Sequence, residues 1–203
     1  MIANAINVDA YRFNEHLRKE FRRKYALEDC LIIGHVGTFR KLKNQVFLLD
    51  ILQNVKNTRR GAVLILVGDG PEQDAVRIRT QTMGLTESVI FTGSMPDVSG
   101  ILNMMDCFVF PSLSEGFGIA PVEAQANGLP VFASSGRLPE SVKINDNFQF
   151  MQLEKGAAYW SDMILAMDLQ RQDGAGENVK RAGFDRMDTV YQLREFMIQM
   201  LKE

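Results

Sequence analysis

Two carboxylates and a glycine-containing loop share the run Pro111-Ser112-Leu113-Ser114-Glu115-Gly116-Phe117-Gly118-Ile119-Ala120-Pro121-Val122-Glu123-Ala124, with Glu115 and Glu123 eight positions apart. A carboxylate accepts two hydrogen bonds, which suits the paired hydroxyls of a ribose or a sugar. Gly116 and Gly118 let the backbone come close to a ligand. The helix expected to follow presents free N–H groups at its start, where phosphate oxygens bind. Taken singly, Glu115 would be a solvated loop acid and Glu123 a first-turn acid favoured by the helix dipole. Together, on a glycine loop behind a strand, they point to a ligand site.

A second group is Gly34-His35-Val36-Gly37-Thr38-Phe39-Arg40-Lys41-Leu42-Lys43-Asn44, a glycine turn leading into a basic loop. Lysine offers a point charge to a diphosphate and arginine a fork of donors. Alone, Arg40, Lys41 and Lys43 would be a solvated loop; opposite the glutamates they read as an anion-binding half, with Lys43 foremost. The turn Gly68-Asp69-Gly70-Pro71 is not a dinucleotide fingerprint, and serves equally as a strand-to-helix turn or a ligand contact. The loop Phe91-Thr92-Gly93-Ser94-Met95-Pro96 could read a nucleobase edge through its backbone, although its residues require no more than a turn. His16 and His35 lack a carboxylate or cysteine partner at a readable spacing, and are expected to be structural or exposed. No metal site is expected.

These groups fall where an α/β fold would put them. Apolar runs at Leu31–Val36, Ala62–Val67, Val89–Phe91, Cys107–Phe110 and Val131–Ala133 read as buried strands. Helical spacing separates them at 45–55, 74–83, 98–105 and 120–126. Continuous apolar strands alternating with helices imply a Rossmann-like parallel sheet with helices on both faces. Ligands in such sheets bind at the carboxyl ends of the strands, which is where both loops lie. The expected organisation is a linker and leading helix over 1–30, a Rossmann-like ligand-binding core over 31–154 (nucleotide-sugar-binding on the resemblance given below) and C-terminal helices over 155–203. In that tail, Ala157–Met167 and two further helices ending near Leu201 flank a polar break at Gly174–Gly176. Met187, Met197 and Met200 are expected to pack in the core.

Composition sets the outer bounds. The 203 residues are 46% hydrophobic and 24% charged, with a formal net charge of -2, which suits one globular domain and gives no support for nucleic-acid binding. Cys30 and Cys107 are expected to be buried free thiols in a reducing compartment. Arg18, Lys19, Arg22, Arg23 and Lys24 read as one solvated helix face. That face leaves room for peripheral contact with the inner surface of a membrane. Without a signal-peptide pattern or an apolar run of membrane-spanning length, the chain is expected to be cytoplasmic.

The ordered motifs "NAINVDAYRFN", "IIGHVGTFRKLKN", "LILVGDGP", "VIFTGS" and "PSLSEGFGIAPVEAQANGLPV" together resemble the C-terminal domain of the retaining glycosyltransferases of group 1 (family 4). The resemblance covers the chain to about Glu154 and is nearest to the branch that builds capsular or extracellular polysaccharide. It implies one half of a GT-B fold, binding a UDP- or GDP-linked sugar and passing the sugar to a saccharide or lipid-linked acceptor with retention. It implies that Glu115 contacts the donor sugar and Lys43 neutralises the departing diphosphate, the two being the catalytic candidates. Glu123 would hold the ribose. Gly116, Phe117, Gly118 and Ile119 would line the sugar and diphosphate, with Gly37, Thr38, Arg40 and Gly93 completing the donor-binding set. Neither a cofactor nor a metal is implied.

Two departures qualify the resemblance. Such proteins usually carry arginine directly after the first-loop glycine, where this chain has Thr38. Losing one such donor can cost about 2.7–4 kcal/mol of transition-state stabilisation, by analogy with an oxyanion hole. The second departure is length: a GT-B enzyme has an N-terminal domain carrying the acceptor site, which must come from elsewhere. The main reading is therefore part of an enzyme. The alternatives are a non-catalytic or degenerate nucleotide-sugar-binding module and, more distantly, a sugar-nucleotide epimerase.

Overall fold

A leading helix, α1 (Glu15–Lys24), runs into β1 (Leu31–Val36), and the chain then alternates strand and helix. In order these are α2 (Gln45–Thr58), β2 (Ala62–Val67), α3 (Gln73–Thr82), β3 (Val89–Gly93), α4 (Ser99–Met104), β4 (Cys107–Phe110), α5 (Ile119–Ala126) and β5 (Val131–Ser134). Then come β6 (Phe148–Met151), α6 (Gly156–Ala166) and α7 (Ala175–Arg181). The computed structural model describes residues 5–187. The strands pair in parallel in the order β3-β2-β1-β4-β5-β6. This is the α/β, Rossmann-like arrangement read from the sequence, with helix ends within a residue of those expected except at α2, which runs on from 55 to Thr58.

The strands are apolar throughout because both faces are covered. Ile32, Ile65, Phe108 and Val131 pack on one side with α4, α5 and α7. Their strand neighbours Ile33, Leu64, Val109 and Phe132 pack on the other with α2 and α6. All six residues of β2 are buried. The sixth strand was not among the five expected, since Phe148-Gln149-Phe150-Met151 is short and carries a polar residue, too little for a periodicity signal. It pairs with β5 from Val131↔Phe148 onward.

Several expectations need correction. Arg18 and Arg22 are not on a solvated face; one turn apart on α1, they converge on Asp106, at 2.5 and 2.7 Å. Lys19, Arg23 and Lys24 remain exposed. Cys107 is buried, but Cys30 is only half-buried; both are free thiols. Met187 is 57% exposed rather than packed. The break between tail helices lies over 167–174 rather than at Gly174–Gly176: Gly174 (φ +67°) ends it as the cap of α7, and Gly176 lies inside that helix. Met197, Met200 and the last expected helix lie outside the described residues.

The arginines serve the open C-terminal end of α4, whose last carbonyls have no helical donors. Arg18 donates to the carbonyls of Asn103 and Met105, Arg22 to that of Met104. Arg171 reaches Asn103 and Met105 from the far side, and burial lowers its pKa to about 9. Asp106 compensates this positive charge and also accepts from the Ile32 amide at 2.8 Å, tying β1 to the start of β4. Removing Asp106 would strand buried guanidinium groups, so Asp106→Ala is expected to cost about 3–5 kcal/mol. An unchanged urea midpoint in equilibrium unfolding would contradict that.

Candidate functional site

Strand order reverses between β1 and β4, and the loops that follow them flank the resulting crevice. The β1 loop runs from Gly37 to Asn44, where Lys41–Lys43 forms a short 3-10 turn and Asn44 (φ +56°) caps α2. Phe39 anchors it, fully buried and stacked on Phe91 at 6.0 Å between centroids. The flanking side chains of Thr38 and Arg40 are exposed.

The turn after β2 buttresses this loop. Gly68 (φ +130°) and Gly70 (φ +146°) lie so close that a Cβ would fall 2.2 Å from the Gly37 carbonyl oxygen and 2.6 Å from that of Phe39. The Phe39 amide donates to the Asp69 carbonyl at 2.7 Å. Of the two roles open to Gly68-Asp69-Gly70, the turn is the one these contacts define. Gly93 (φ +74°) ends β3, and its carbonyl accepts from the Gly68 amide at 2.9 Å.

Lys43 crosses to the other loop. Its Nζ lies 2.6 Å from Glu115 Oε1 and 4.9 Å from the centre of the Phe110 ring. The side chains are only 21% and 10% exposed, so this pair is shielded from bulk water and salt. Two further bonds hold the loops together: the Leu113 amide donates to the Leu42 carbonyl at 2.7 Å, and Asn44 Nδ2 to the Pro111 carbonyl at 3.2 Å. The Glu115 amide donates to the Arg137 carbonyl, so the β5 loop supports it from beneath. Arg40 takes another direction, lining a surface hollow with Gln45, Glu72 and Val76.

Gly118 (φ +81°) caps α5 in a conformation that favours glycine. The opening turn of α5 directs the amides of Ile119 and Ala120 out of the helix, whereas Pro121 has no N–H to offer. A Cβ at Gly116 would meet nothing within 4 Å, so no packing demand explains that glycine. The Phe117 ring turns away to pack on Phe184, 5.4 Å between centroids. Ile119 begins the helix and packs against the core.

Glu123, one turn on, accepts a 2.7 Å hydrogen bond from the Tyr11 hydroxyl. Burial raises its pKa and Asp97 adds to the rise, while the Tyr11 bond opposes it. The sequence reading missed Tyr11: it lies 112 residues from its partner, and no spacing rule connects them. Thus Lys43, Glu115 and Gly37 gather at one place, Gly116 to Glu123 continue from it along α5, and Arg40 stands apart.

His35 is buried beneath the β1 loop. Its Nδ1 lies 2.9 Å from the Val109 carbonyl, which can only accept, so Nδ1 carries the proton and Nε2 is a bare acceptor. Among the described residues Nε2 has no hydrogen-bond partner. Burial, reinforced by Lys43, holds the pKa down to about 4, against an ordinary 6.5. The unfolded chain therefore takes up this proton at a higher pH than the folded one, and stability falls as pH drops from about 6.5 to about 4. The loss from this group is expected to be on the order of 3 kcal/mol. His35→Gln should flatten that part of the melting-temperature profile; an unaltered slope would refute the assignment.

Among the described residues no group of three His, Cys, Asp or Glu side chains is placed to hold a metal ion. Nor is any helix there long and apolar enough to cross a membrane.

Comparison with known proteins places this geometry in context. Residues 18–152 match the family model of the glycosyl transferases group 1. The putative glycosyltransferase EpsF of Bacillus subtilis is 28% identical over 195 residues, covering 94% of this chain and 50% of that protein. N-acetyl-alpha-D-glucosaminyl L-malate synthase of Bacillus anthracis is 30% identical over 172 residues, covering 82% of this chain and 44% of that protein. The chain thus spans about half the length of such relatives. In structure it is similar to Anabaena HepE in complex with UDP and glucose, with a TM-score of 0.81 at 22% identity, over 97% of this chain and 55% of that one. It is also similar to the C-terminal domain of a glycosyl transferase group 1 family protein (LpcC) from Francisella tularensis, with a TM-score of 0.65 at 19% identity, over 93% and 97% of the two chains.

Proposed function

The chain belongs to the glycosyl transferases of group 1, and from that premise we propose that its crevice binds the nucleotide sugar whose glycosyl group is transferred. The observation that carries this reading is the meeting of Lys43 and Glu115 at 2.6 Å across the reversal of strand order. A cation and a hydroxyl acceptor side by side match the two ends of a sugar–diphosphate bond. Lys43 and the amino end of α5 stabilise the charge that grows on the departing phosphate. Glu115 holds hydroxyls of the donor sugar, and Glu123 those of the ribose. Gly116 to Ile119 lie along the diphosphate and sugar, with Gly37 and Gly93 at the rim. Arg40 would have to leave its present hollow to take part.

With this cationic provision the reaction needs no divalent metal. The acceptor, a saccharide or lipid-linked saccharide, approaches on a second domain that closes over the crevice, and the new bond forms with retention. Relatives named for lipopolysaccharide core, mannolipid and aminocyclitol glycoside assembly support this placing. The exposed Lys19, Arg23 and Lys24 suit a cytoplasmic site beside the inner membrane surface. One observation favours a second reading, a binding module without transfer activity: Thr38 stands exposed where the family usually has arginine.

Calorimetric titration with UDP, GDP and ADP, then with the sugar conjugates of the nucleotide that binds, tests the donor site. One nucleotide should bind selectively and its sugar should strengthen binding; no binding of any at millimolar concentration would sink the reading. Glu123→Ala is expected to weaken the bare nucleotide more than Glu115→Ala does. Glu115→Ala should instead erase the preference for the sugar conjugate, and unchanged affinities in both would count against these roles. Thr38→Arg is expected to tighten the diphosphate about tenfold through a charge-assisted hydrogen bond. No gain would show that this position does not face the phosphates.

A further inference from the structure

Glu123 is held from outside its own helix. The Tyr11 hydroxyl donates to its Oε1 at 2.7 Å, and the Tyr11 carbonyl accepts from Asn127 Nδ2, also at 2.7 Å. Asn127 is the C-cap of α5, so that helix grips one tyrosine at two points a turn apart. The tyrosine cannot easily drift, because the turn Val8–Tyr11 is seated by a fully buried Val8. Buried Asn103 extends the clamp, its Oδ1 accepting from the Asn14 amide at 2.7 Å and from Asn127 at 3.3 Å. A phenol aimed at Oε1 fixes the plane of the carboxylate and leaves Oε2, with the remaining lone pair of Oε1, for two incoming hydroxyls.

We propose that Tyr11 is a positioning residue that sets Glu123 to receive the vicinal hydroxyls of a ribose, an inference that rests on the ribose-binding reading of Glu123. The charged surroundings make the role measurable. Asp97, on the loop before α4, faces both Glu123 and Tyr11 and raises both pKa values. From α7, Glu177 and Lys180 turn towards the same turn but are paired with Arg12 and Asp9. Tyr11 itself is pushed well above its ordinary pKa by burial and by the bond to Glu123, so the phenol keeps its proton. Its bond is the one influence holding the Glu123 pKa down against burial and Asp97. Without the hydroxyl, Glu123 protonates at higher pH and loses acceptor capacity there.

The test uses the 203-residue chain with the tightest binder among UDP, GDP and ADP, and with its 2′-deoxy form, over a range of about pH 5 to 8. Tyr11→Phe, with folding checked by thermal melting, is expected to weaken the ribonucleotide about three- to tenfold near neutrality. The loss should grow as pH falls, because the acid limb of binding moves upward. The 2′-deoxy form should change little, so discrimination between the two should shrink. Parental affinity and an unmoved acid limb would overturn the proposal. So would equal weakening of both nucleotides with an unmoved limb, which would make Tyr11 merely a structural support. Glu123→Gln separates the two levels: if it leaves ribonucleotide affinity intact, or no nucleotide binds, the reading of Glu123 itself fails. If it weakens binding while Tyr11→Phe does not, only the role of Tyr11 falls.

Discussion

The site depends on one constraint, that neighbouring parallel strands β1 and β4 send their following helices to opposite faces of the sheet. Helix α2 packs with Ile33 and Leu64, and α5 with Ile32 and Phe108. Their connecting loops must therefore part above the sheet, and nothing in the sheet itself can fill the gap between them. The chain closes part of this gap with polar chemistry, through Lys43, Glu115 and the bonds between Leu42 and Leu113. At the opposite end of the same strand pair, Asp106 and its arginines hold the strands together. One end is braced, and the other is left available.

Which parts of this were legible in the sequence follows from the range of each signal. Five strands and their helices were readable because burial on both faces leaves unbroken apolar runs, and β2 is the clearest case. The two loops were readable as a pair because glycine turns and opposite charges follow two strands of a parallel sheet, whose order brings β1 and β4 together. The sixth strand was not, since four residues alternating with Gln149 carry almost no periodic information. Arg18 and Arg22 were misplaced for a related reason. A basic helix face looks the same in sequence whether it meets water or the carboxylate of a residue 84 or more positions away.

Tyr11 shows the same limit at the site. Glu123 could be singled out from its glycine loop, whereas its partner became visible only when the chain folded back across α5. The spacing around His35 cannot separate a structural histidine from an exposed one; its burial depends on Phe108 and Phe110, which stack beside it at 6.3 and 5.5 Å. Local sequence shows which groups can do chemistry; tertiary contacts decide how each is oriented and charged.

The ion pair between Lys43 and Glu115 also acts as a lock that takes two keys. A simple anion that drew Lys43 away would leave Glu115 shielded and uncompensated, at a cost comparable to breaking any buried pair. A free sugar that engaged Glu115 would leave the lysine in the same position. A ligand that brought a phosphate to Lys43 and sugar hydroxyls to Glu115 would satisfy both partners at once. A bare phosphate or a free sugar, each answering one partner alone, would on that account compete poorly with the proposed donor.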